Sequence, residues 1–512
     1  MKMTATNDRI SPERWTVAAL IAVLAALIAA VAGVAFGASL RVSLPVALLL
    51  GLNSCAWVAR RLPREWDGAR RAHTAWSILF LVVALAALAR TAGVAWFMAD
   101  ATHPQASVYW FDRFYKAHSC YSGYWRAAEV ARAGAVNLYD TAHYNGWIDR
   151  RFQIDEFLYV PQFLILPRIG LALGGDFYKI RAAWFAFEAA LVAAATLALC
   201  RWIGGAAGRR AALLWAALWL SSPILATLQI GNYQVAALAL SMLAMVAFER
   251  DRPALGGALL AVAAFKLFPA LLCLYLAAAR RWRAVGWTIA FSLLYCAVAY
   301  LWIGGQPFVA FLHYDLPRVV SGDAWPFLAD PRVTAINDSI PGLVLKLKAL
   351  GVQGMTRSLE NIVGWVWTFI VVILALLAGR RGPQLSRLER TCCWLSLLTL
   401  AAFRNRFMPD MYGLVAPIWL WTFIAAAALT AAARSTWRNA IWLAVAWVAL
   451  SAVLPFHGIP FAGNTRLIVS TVSQLIAIGL CLWILLRYFD RPQEMNTGTL
   501  EMTAQPEAKL SV

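Results

Sequence analysis

Charged side chains are scarce in this sequence. Only 14% of its 512 residues are charged, whereas soluble proteins carry about 25%. Hydrophobic residues make up 62% of the chain, which is more apolar side chain than a globular core could hide from water. This composition excludes a cytosolic enzyme, a secreted disulfide-bonded scaffold and a nucleic-acid-binding domain.

Several motifs of soluble chemistry are also missing. The chain has no P-loop, no dinucleotide-binding glycine motif, no His-Glu-x-x-His and no Asp-x-Asp pair that could hold a metal on a nucleotide sugar. Its eight cysteines form no Cys-x-x-Cys pair and show no metal-ligand spacing. We therefore expect no metal and no cofactor. If the protein transfers a sugar, the missing motifs favour a lipid-phosphate donor over a nucleotide sugar.

Long apolar stretches dominate what is present. A bilayer core about 30 Å thick needs roughly 20 apolar residues per helix, and the sequence offers a dozen or more such stretches. They predict an all-α polytopic membrane protein with 12 to 14 spans. The net charge of +19 comes largely from arginines in short connections, such as Arg60, Arg61 and Arg64. That distribution is typical of cytoplasmic loops rather than of a nucleic-acid site.

The same arginines predict the orientation. Residues 59–72 would be cytoplasmic, as would both termini, and the polar segments 99–156 and 304–358 would then lie outside the cytoplasmic membrane. Polar residues gather in these two segments rather than at the middle of the bilayer. This arrangement favours an enzyme that works at the outer surface over a transporter.

Lys266 is the most unusual charged residue in the apolar stretches. It lies in a short hairpin between two basic turns, three residues before the helix-breaking Pro269. A lysine near the centre of a membrane helix costs about 2.5–3.5 kcal/mol on insertion scales. We interpret it as a cation that binds a lipid phosphate. The alternative is a lysine whose side chain extends from a helix end to the membrane surface.

Transfer of a sugar to a hydroxyl needs a base that takes the acceptor proton. The carboxylates nearest the outer membrane surface are Asp112, Asp155 and Glu156, and they are the candidates for this role. Asp112 is the first choice, while the other two lie where the chain returns to the membrane at Phe157. The alternative is that each of them is a solvated surface charge.

Six motifs, in order between about residues 75 and 430, resemble those of glycosyltransferase family 87. The hairpin that runs from Gly256-Gly257 through Lys266 and Pro269 to Arg280-Arg281 is the best match. The others are Tyr124-Trp125-Arg126-Ala127-Ala128 with Gly134 and Leu138-Tyr139-Asp140, Phe157-Leu158-Tyr159-Val160-Pro161, Gly231-Asn232-Tyr233-Gln234, Asn337-Asp338-Ser339, and Arg406 through Tyr412 with Pro417.

The resemblance implies an integral membrane transferase of the GT-C type that uses a polyprenyl-phosphate hexose and acts on the outer face. In the family, an aspartate four residues before the tyrosine equated with Tyr124 acts as the base, but Cys120 stands there in this chain. A thiol is a poor substitute for that carboxylate. The resemblance assigns the donor phosphate to Lys266, and it assigns substrate binding to Tyr124, Trp125, Tyr159, Asn232, Asn337 and Arg406.

The main hypothesis is an inverting hexosyltransferase of the cytoplasmic (inner) membrane. It would pass a sugar, most plausibly mannose, from polyprenyl phosphate to a lipid or glycan hydroxyl on the extracytoplasmic side. The alternatives are a flippase of a polyprenyl-linked glycan and a catalytically inactive relative. We divide the chain into an additional two-helix membrane segment (residues 1–73), a GT-C-like catalytic core (74–433), C-terminal membrane helices (434–487) and a disordered cytoplasmic tail (488–512).

Overall fold

The structure, a computed structural model, describes residues 10–64, 74–431, 437–455 and 463–489. This part is largely helical, and one antiparallel hairpin pairs β1 (Trp147–Ile148) with β2 (Phe152–Gln153). The prediction of an all-α polytopic membrane protein is confirmed. Most of the predicted basic connection 59–72 and nearly all of the predicted tail 488–512 lie outside the described residues.

The α-helices follow one another through the described ranges. The first part of the chain contains α1 (Pro12–Ala35), α2 (Leu40–Arg61), α3 (Thr74–Ala99), α4 (Arg113–Ala117), α5 (Cys120–Arg132), α6 (Ile165–Ala172), α7 (Phe177–Ile203), α8 (Gly205–Leu220), α9 (Ser222–Ile230), α10 (Gln234–Glu249), α11 (Pro253–Ala263) and α12 (Leu272–Ala278). The second part contains α13 (Trp282–Ile303), α14 (Gln306–Ala310), α15 (Leu316–Ser321), α16 (Pro331–Ile336), α17 (Ile340–Ala349), α18 (Arg357–Arg381), α19 (Arg387–Ala402), α20 (Asp410–Gly413), α21 (Val415–Ala431), α22 (Trp437–Leu450) and α23 (Gly463–Phe489).

Among the described residues, eight helical stretches are long and apolar enough to cross a membrane. They comprise α1, α2, α3, α7, α13, α18, the stretch formed by α20 and α21, and α23. The helices α8 and α9 meet the same test as a pair bent by 59°, which raises the number to nine. The prediction of 12 to 14 spans is higher because it included shorter apolar helices such as α10 and α11. These helices lack the roughly 20 residues that a straight span needs.

Burial separates the central helices from those at the periphery. Almost every side chain of α10 is buried, although the helix is apolar all round. On α13, by contrast, Leu293 is 65% exposed and Leu301 is 85% exposed. A helix that is hydrophobic on every side must lie inside a protein or face lipid. We therefore place α10 at the centre of the bundle and the outer face of α13 against the bilayer.

The helix ends follow from local sequence. Asp176 caps α7 by accepting the backbone N–H of Lys179, and α7 ends at Gly204, whose φ of 68° suits glycine. Ser386 and Glu389 form a capping box at the start of α19. At the N-terminal end of the bundle, α1 packs against α2, α3 and α7. The two additional N-terminal helices are thus joined to the same bundle as the rest.

The two polar segments fold into short pieces instead of long helices. The first contains α4, α5 and the β1–β2 hairpin, and the second contains α14 to α17 and a π-helical turn at Phe311–Asp315. A parallel bridge between His118 and Gln153 ties the start of α5 to the hairpin. Side chains from both segments meet the turn that follows α11 and enclose a single cavity.

Candidate active site

The cavity has a volume of about 530 Å³. Its wall is mainly apolar and aromatic, with a few polar side chains that converge on the interior. That composition is typical of sites for small molecules and cofactors. The polar lining residues are His118, Cys120, Gln153, Asp155, Glu156, Asn232, Lys266, Asp330 and Asn405, and the aromatic ones include Tyr124, Tyr159, Trp325 and Tyr412.

Lys266 reaches the cavity because the helical hairpin breaks at this residue. Two 3-10 turns, Ala264–Lys266 and Phe268–Leu271, separate α11 from α12, and Leu267 between them has a φ of 63°. A positive φ at a leucine is strained, and such strain is concentrated at functional sites. The predicted break near Lys266 to Pro269 is thus present, and the strained Leu267 lies two residues before the proline.

The surroundings of the Lys266 ammonium are polar and aromatic. Its Nζ donates to Asn232 Oδ1 and lies 3.5 Å from the hydroxyl of Tyr159. The same Nζ lies 5.6 Å from the ring centre of Tyr159 and 5.5 Å from that of Tyr412. In the part of the chain that the structure describes, no carboxylate lies within salt-bridge distance of it. The cation therefore keeps the capacity to bind an anion in the cavity.

Asn232 connects the lysine to the opposite wall. It follows Gly231, whose φ of 74° allows the chain to turn sharply after α9, where a Cβ would lie 3.3 Å from Trp184. The Asn232 amide nitrogen donates to Cys120 Sγ at 3.4 Å, while its oxygen also accepts the backbone N–H of Gln234 at 3.0 Å. One side chain thus orients both Lys266 and Cys120.

The predicted substrate residues Tyr124 and Tyr159 lie together on one wall. Their hydroxyls are 2.8 Å apart, and the Tyr124 hydroxyl accepts the backbone N–H of Tyr233 at 3.2 Å. The Tyr139 hydroxyl donates to the carbonyl of Tyr159 at 2.8 Å, which fixes the backbone next to the cavity. These contacts hold the rings rigidly, and the resulting surface is suited to a sugar or a prenyl chain.

Asp155 and Glu156 reach the cavity from the segment that follows β2. Gly123 permits this approach, because a Cβ there would lie 2.7 Å from the carbonyl oxygen of Asp155. The Ser122 hydroxyl accepts the backbone N–H of Asp155 at 2.9 Å and donates to the carbonyl of Gln153 at 3.0 Å. The helix α5 therefore positions the two acids by direct contact.

The two acids differ in their partners. Glu156 forms a 2.7 Å salt bridge with Arg318, and burial still raises the pKa of the Glu156 carboxyl above its ordinary value. Asp155 lies 3.8 Å from the His118 ring, and its side chain is 34% exposed. Burial lowers the pKa of His118, although the Asp155 charge raises it in part. Of the two acids, Asp155 therefore has the weaker charged partner.

Cys120 occupies a buried position at the N-terminus of α5. Its Sγ lies 3.2 Å from the Tyr412 hydroxyl and 3.8 Å from His118 Nε2. Burial raises the pKa of the Cys120 thiol well above its ordinary value, and the Asp155 charge adds to this effect. The thiol is therefore neutral at physiological pH and does not supply the base expected at this position.

His118, Cys120 and Asp155 form a cluster that the sequence did not predict. One potential ligand atom from each residue lies within 4.8 Å of the other two. The sequence signal was weak, because the two first residues are separated by one position and the third is 35 positions further along. The β1–β2 hairpin and its bridge to His118 bring the three together.

The structure places four predicted residues outside the cavity lining. Asp112 is buried and caps α4 by accepting the backbone N–H of Phe114 at 2.9 Å. Trp125 packs against the ring of Phe177, with 5.8 Å between ring centres.

Asn337 and Arg406 lie behind the cavity wall and hold the chain near residue 408. The Asn337 amide donates to the carbonyl of Arg406 at 3.0 Å and accepts the backbone N–H of Met408 at 2.9 Å. The Arg406 guanidinium donates to Asn361 and to the carbonyl of Val320, and it lies 3.5 Å from Glu360. Both side chains thus have protein partners in the positions that the structure gives them.

Comparison with known proteins gives one match. Residues 157–402 match the model of glycosyltransferase family 87. The matched region contains Tyr159, Asn232, Lys266 and Asn337, and it begins immediately after Glu156. No curated protein and no solved structure matches the chain.

Proposed function

The chain belongs to glycosyltransferase family 87, and from this premise we propose that it transfers a hexose from a polyprenyl phosphate to a lipid or glycan hydroxyl. Membership of the family indicates a glycosyltransferase, and the helices make it a multi-pass membrane protein. Mannose is the proposed sugar. The proposed place is the extracytoplasmic face of the cytoplasmic membrane.

One observation carries the proposal. Lys266 lies on the wall of a cavity of about 530 Å³ with no carboxylate within salt-bridge distance among the described residues, and Asp155 lines the same cavity. An ammonium can bind the phosphate of a lipid donor and stabilise the charge that develops on the leaving group. A nearby carboxylate can take the proton of an acceptor hydroxyl.

The proposed reaction uses both Lys266 and Asp155. The donor phosphate binds at Lys266, and the lipid chain of the bound donor extends from the cavity towards the bilayer. The acceptor hydroxyl gives its proton to Asp155 as its oxygen bonds to the anomeric carbon, and the bond from that carbon to the phosphate oxygen breaks. Attack from the face opposite to the phosphate inverts the configuration. Trp325 lines the cavity, and in the proposed reaction it stacks on the sugar.

Asp155 is the proposed base because of its position and its partners. It lines the cavity, whereas Asp112 caps α4 outside the lining and Glu156 is paired with Arg318. Glu156 remains in the proposal as the residue that joins the first polar segment to Arg318 of the second. Asp112 then acts as a structural cap rather than as the base.

The decisive experiment incubates the purified protein with radiolabelled polyprenyl-phosphate mannose and candidate acceptor lipids in liposomes. We expect labelled mannose to appear on an acceptor. Label that crosses the liposome membrane without any new product would instead support a flippase. A protein that neither transfers nor moves the label would count against both functions, provided that donor binding is measured on the same sample.

The proposed orientation can be tested in intact cells. Val136 is 74% exposed in the first polar segment, and Arg252 is exposed in the connection between α10 and α11. In a variant that lacks Cys120, an impermeant maleimide should label Val136→Cys and should not label Arg252→Cys. Labelling of the second position alone would reverse the orientation and place the cavity on the cytoplasmic side.

A further inference from the structure

We propose that His118, Cys120 and Asp155 bind a zinc ion at the edge of the cavity. The three side chains offer an imidazole nitrogen, a sulfur and a carboxylate oxygen, all within 4.8 Å of one another. These are the ligand types that zinc prefers in proteins. The binding site itself does not depend on the proposed function, although its use in sugar transfer does.

The distances are close to those of a zinc centre. With Zn–N of about 2.0–2.1 Å and Zn–S of about 2.3 Å, tetrahedral geometry puts the nitrogen and sulfur about 3.5 Å apart. In the structure His118 Nε2 lies 3.8 Å from Cys120 Sγ and 3.8 Å from Asp155 Oδ2. The third pair, Cys120 Sγ and an Asp155 oxygen, lies within 4.8 Å. The three side chains would close these gaps when they coordinate one ion.

The ligands are held in place by their own neighbours. The ring of His118 stacks on Phe114, with 4.5 Å between ring centres and an interplanar angle of 18°. Its backbone is bridged to Gln153, two residues before Asp155. Partners that orient metal ligands in this way contribute to metal affinity. The cluster is thus supported from both chain segments that supply it.

Two polar neighbours suit a metal-bound thiolate. Asn232 donates its amide N–H to Cys120 Sγ at 3.4 Å, and the Tyr412 hydroxyl lies 3.2 Å from the same atom. Both groups can donate to a sulfur that carries negative charge. A thiolate and a carboxylate together neutralise the two positive charges of zinc, so the occupied centre does not repel Lys266.

Three protein ligands leave the fourth zinc position free. All three residues line the cavity, so that position faces the interior. Catalytic zinc sites have this arrangement, whereas structural sites use four protein ligands. An oxygen of the acceptor hydroxyl is the ligand that the proposed function would place there, because zinc lowers the pKa of a bound hydroxyl group. Asp155 can bind the metal through one carboxylate oxygen and leave the other oxygen free to accept a proton.

The first test measures metal on the full-length protein in detergent. After chelation and dialysis against zinc, we expect about one zinc per chain by mass spectrometry of the metal content. Cobalt substituted for zinc should give a strong thiolate-to-cobalt absorption band in the near ultraviolet. The wild-type protein alone can refute the proposal, because cobalt bound without this band, or no bound metal, would exclude a centre that contains Cys120.

Variants assign the ligands. Cys120→Ser should abolish the cobalt band, and His118→Ala and Asp155→Asn should weaken zinc binding by at least tenfold. The matched controls are Cys273→Ser, on α12, and His143→Ala, in the first polar segment, and both should bind zinc as the wild type does. Zinc content that is equal in Cys120→Ser and the wild type would overturn the proposal.

Metal content and sugar transfer are read separately. A protein that binds no zinc after dialysis against zinc, yet transfers sugar fully, would overturn the zinc centre and leave the proposed function intact. One zinc per chain with the thiolate band, but no transfer to any acceptor, would support the centre and count against the proposed function.

Discussion

Two lysines lie inside this protein in contrasting surroundings. Lys346 is fully buried, forms a salt bridge with Asp338 at 3.1 Å and donates to Ser470 and Gln474 on α23. Lys266 lies on a cavity wall, donates to Asn232 and lies between two tyrosine rings. No salt bridge joins Lys266 to a carboxylate in the described ranges.

The difference separates a structural cation from one that can bind a ligand. The partners of Lys346 are supplied by the fold, so its charge stabilises the contact between α17 and α23. Among the described residues, no carboxylate lies within salt-bridge distance of Lys266, and an anionic ligand would provide such a partner. The two lysines are therefore distinguished by whether a carboxylate forms a salt bridge with the ammonium, and not by how deeply each is buried.

The largest expected effect is on folding. Lys346→Ala leaves Asp338 as a buried carboxylate without its countercharge, which costs about 3–5 kcal/mol. We expect a large drop in the thermal unfolding midpoint in detergent and a low yield of folded protein. Replacement of both partners, with Lys346→Met and Asp338→Leu, should restore most of the midpoint, because neither member of the pair is then left without its countercharge. A normal midpoint in Lys346→Ala would mean that the pair is not structural.

The second prediction concerns the acids. Asp155→Asn should reduce turnover by about 10²–10⁴-fold, because proton removal by a positioned group contributes that factor. Donor binding should stay close to that of the wild type. Both quantities can be measured on one preparation with labelled donor.

Asp112→Asn is the matched comparison for this prediction. An asparagine can keep the cap on α4, since its side-chain oxygen also accepts the Phe114 N–H. We expect its turnover to stay within a few-fold of the wild type. If Asp112→Asn lost turnover and Asp155→Asn did not, the base would be Asp112, as first expected from the sequence. Loss in Glu156→Gln alone would assign the base to Glu156.

The third prediction concerns Lys266 and is expected to be smaller. Lys266→Ala should bind polyprenyl-phosphate sugar about 10–100-fold more weakly, since a hydrogen bond to a charged group contributes about 1.5–3 kcal/mol. Its unfolding midpoint should change far less than that of Lys346→Ala. Lys266→Arg should retain part of the affinity. Unchanged donor binding in Lys266→Ala would remove the phosphate from this part of the cavity.

The smallest effect should be a pH dependence at Asp315. Burial raises the pKa of Asp315 to about 7, with Arg318 opposing and Glu156 reinforcing this effect; the phenols of Tyr139 and Tyr144 lie nearby. Because the folded pKa exceeds the unfolded value of about 4, the folded state favours the protonated acid. Stability from this group is therefore present below pH 4 and is lost as the pH rises through 7.

Asp315→Asn tests this assignment, because the amide stays neutral at every pH. Between pH 5 and 8 the unfolding midpoint of the wild type should fall by several degrees more than that of the variant. Parallel curves would show that Asp315 is already ionised in the folded protein at pH 5.

Much of the helix order could be predicted from local sequence. Apolar runs and arginine-rich turns indicated the long helices, and Lys266 beside Pro269 indicated a broken hairpin, since both signals lie within a few residues. The bend between α8 and α9 was not predicted, although the short helices on either side of Lys266 were. Hydropathy measures the apolar character of a stretch, but neighbouring helices decide how far each one extends and where it bends.

The residues of the candidate site were likewise predicted only in part. Lys266, Tyr124, Tyr159 and Asn232 were predicted from motifs, and the structure brings them to one cavity. Asn337 and Arg406 were predicted from motifs of the same kind, yet in the structure the Asn337 side chain holds the chain near Met408. The Arg406 side chain donates to Asn361 and to the carbonyl of Val320. A motif shows that a residue type recurs at a position, but it does not distinguish a group that faces a cavity from one that supports the wall.

The sequence by itself determined that this chain belongs in a membrane, that it is helical, and that a lysine in an apolar hairpin lies at a helix break. These properties depend on composition and on neighbours a few residues apart. Only the tertiary structure decided which acids share the cavity with Lys266, that Asp112 caps a helix instead, and that His118 and Cys120 meet Asp155. Those contacts join residues far apart along the chain, and their distances follow from how the hairpin, α5 and the bundle pack together.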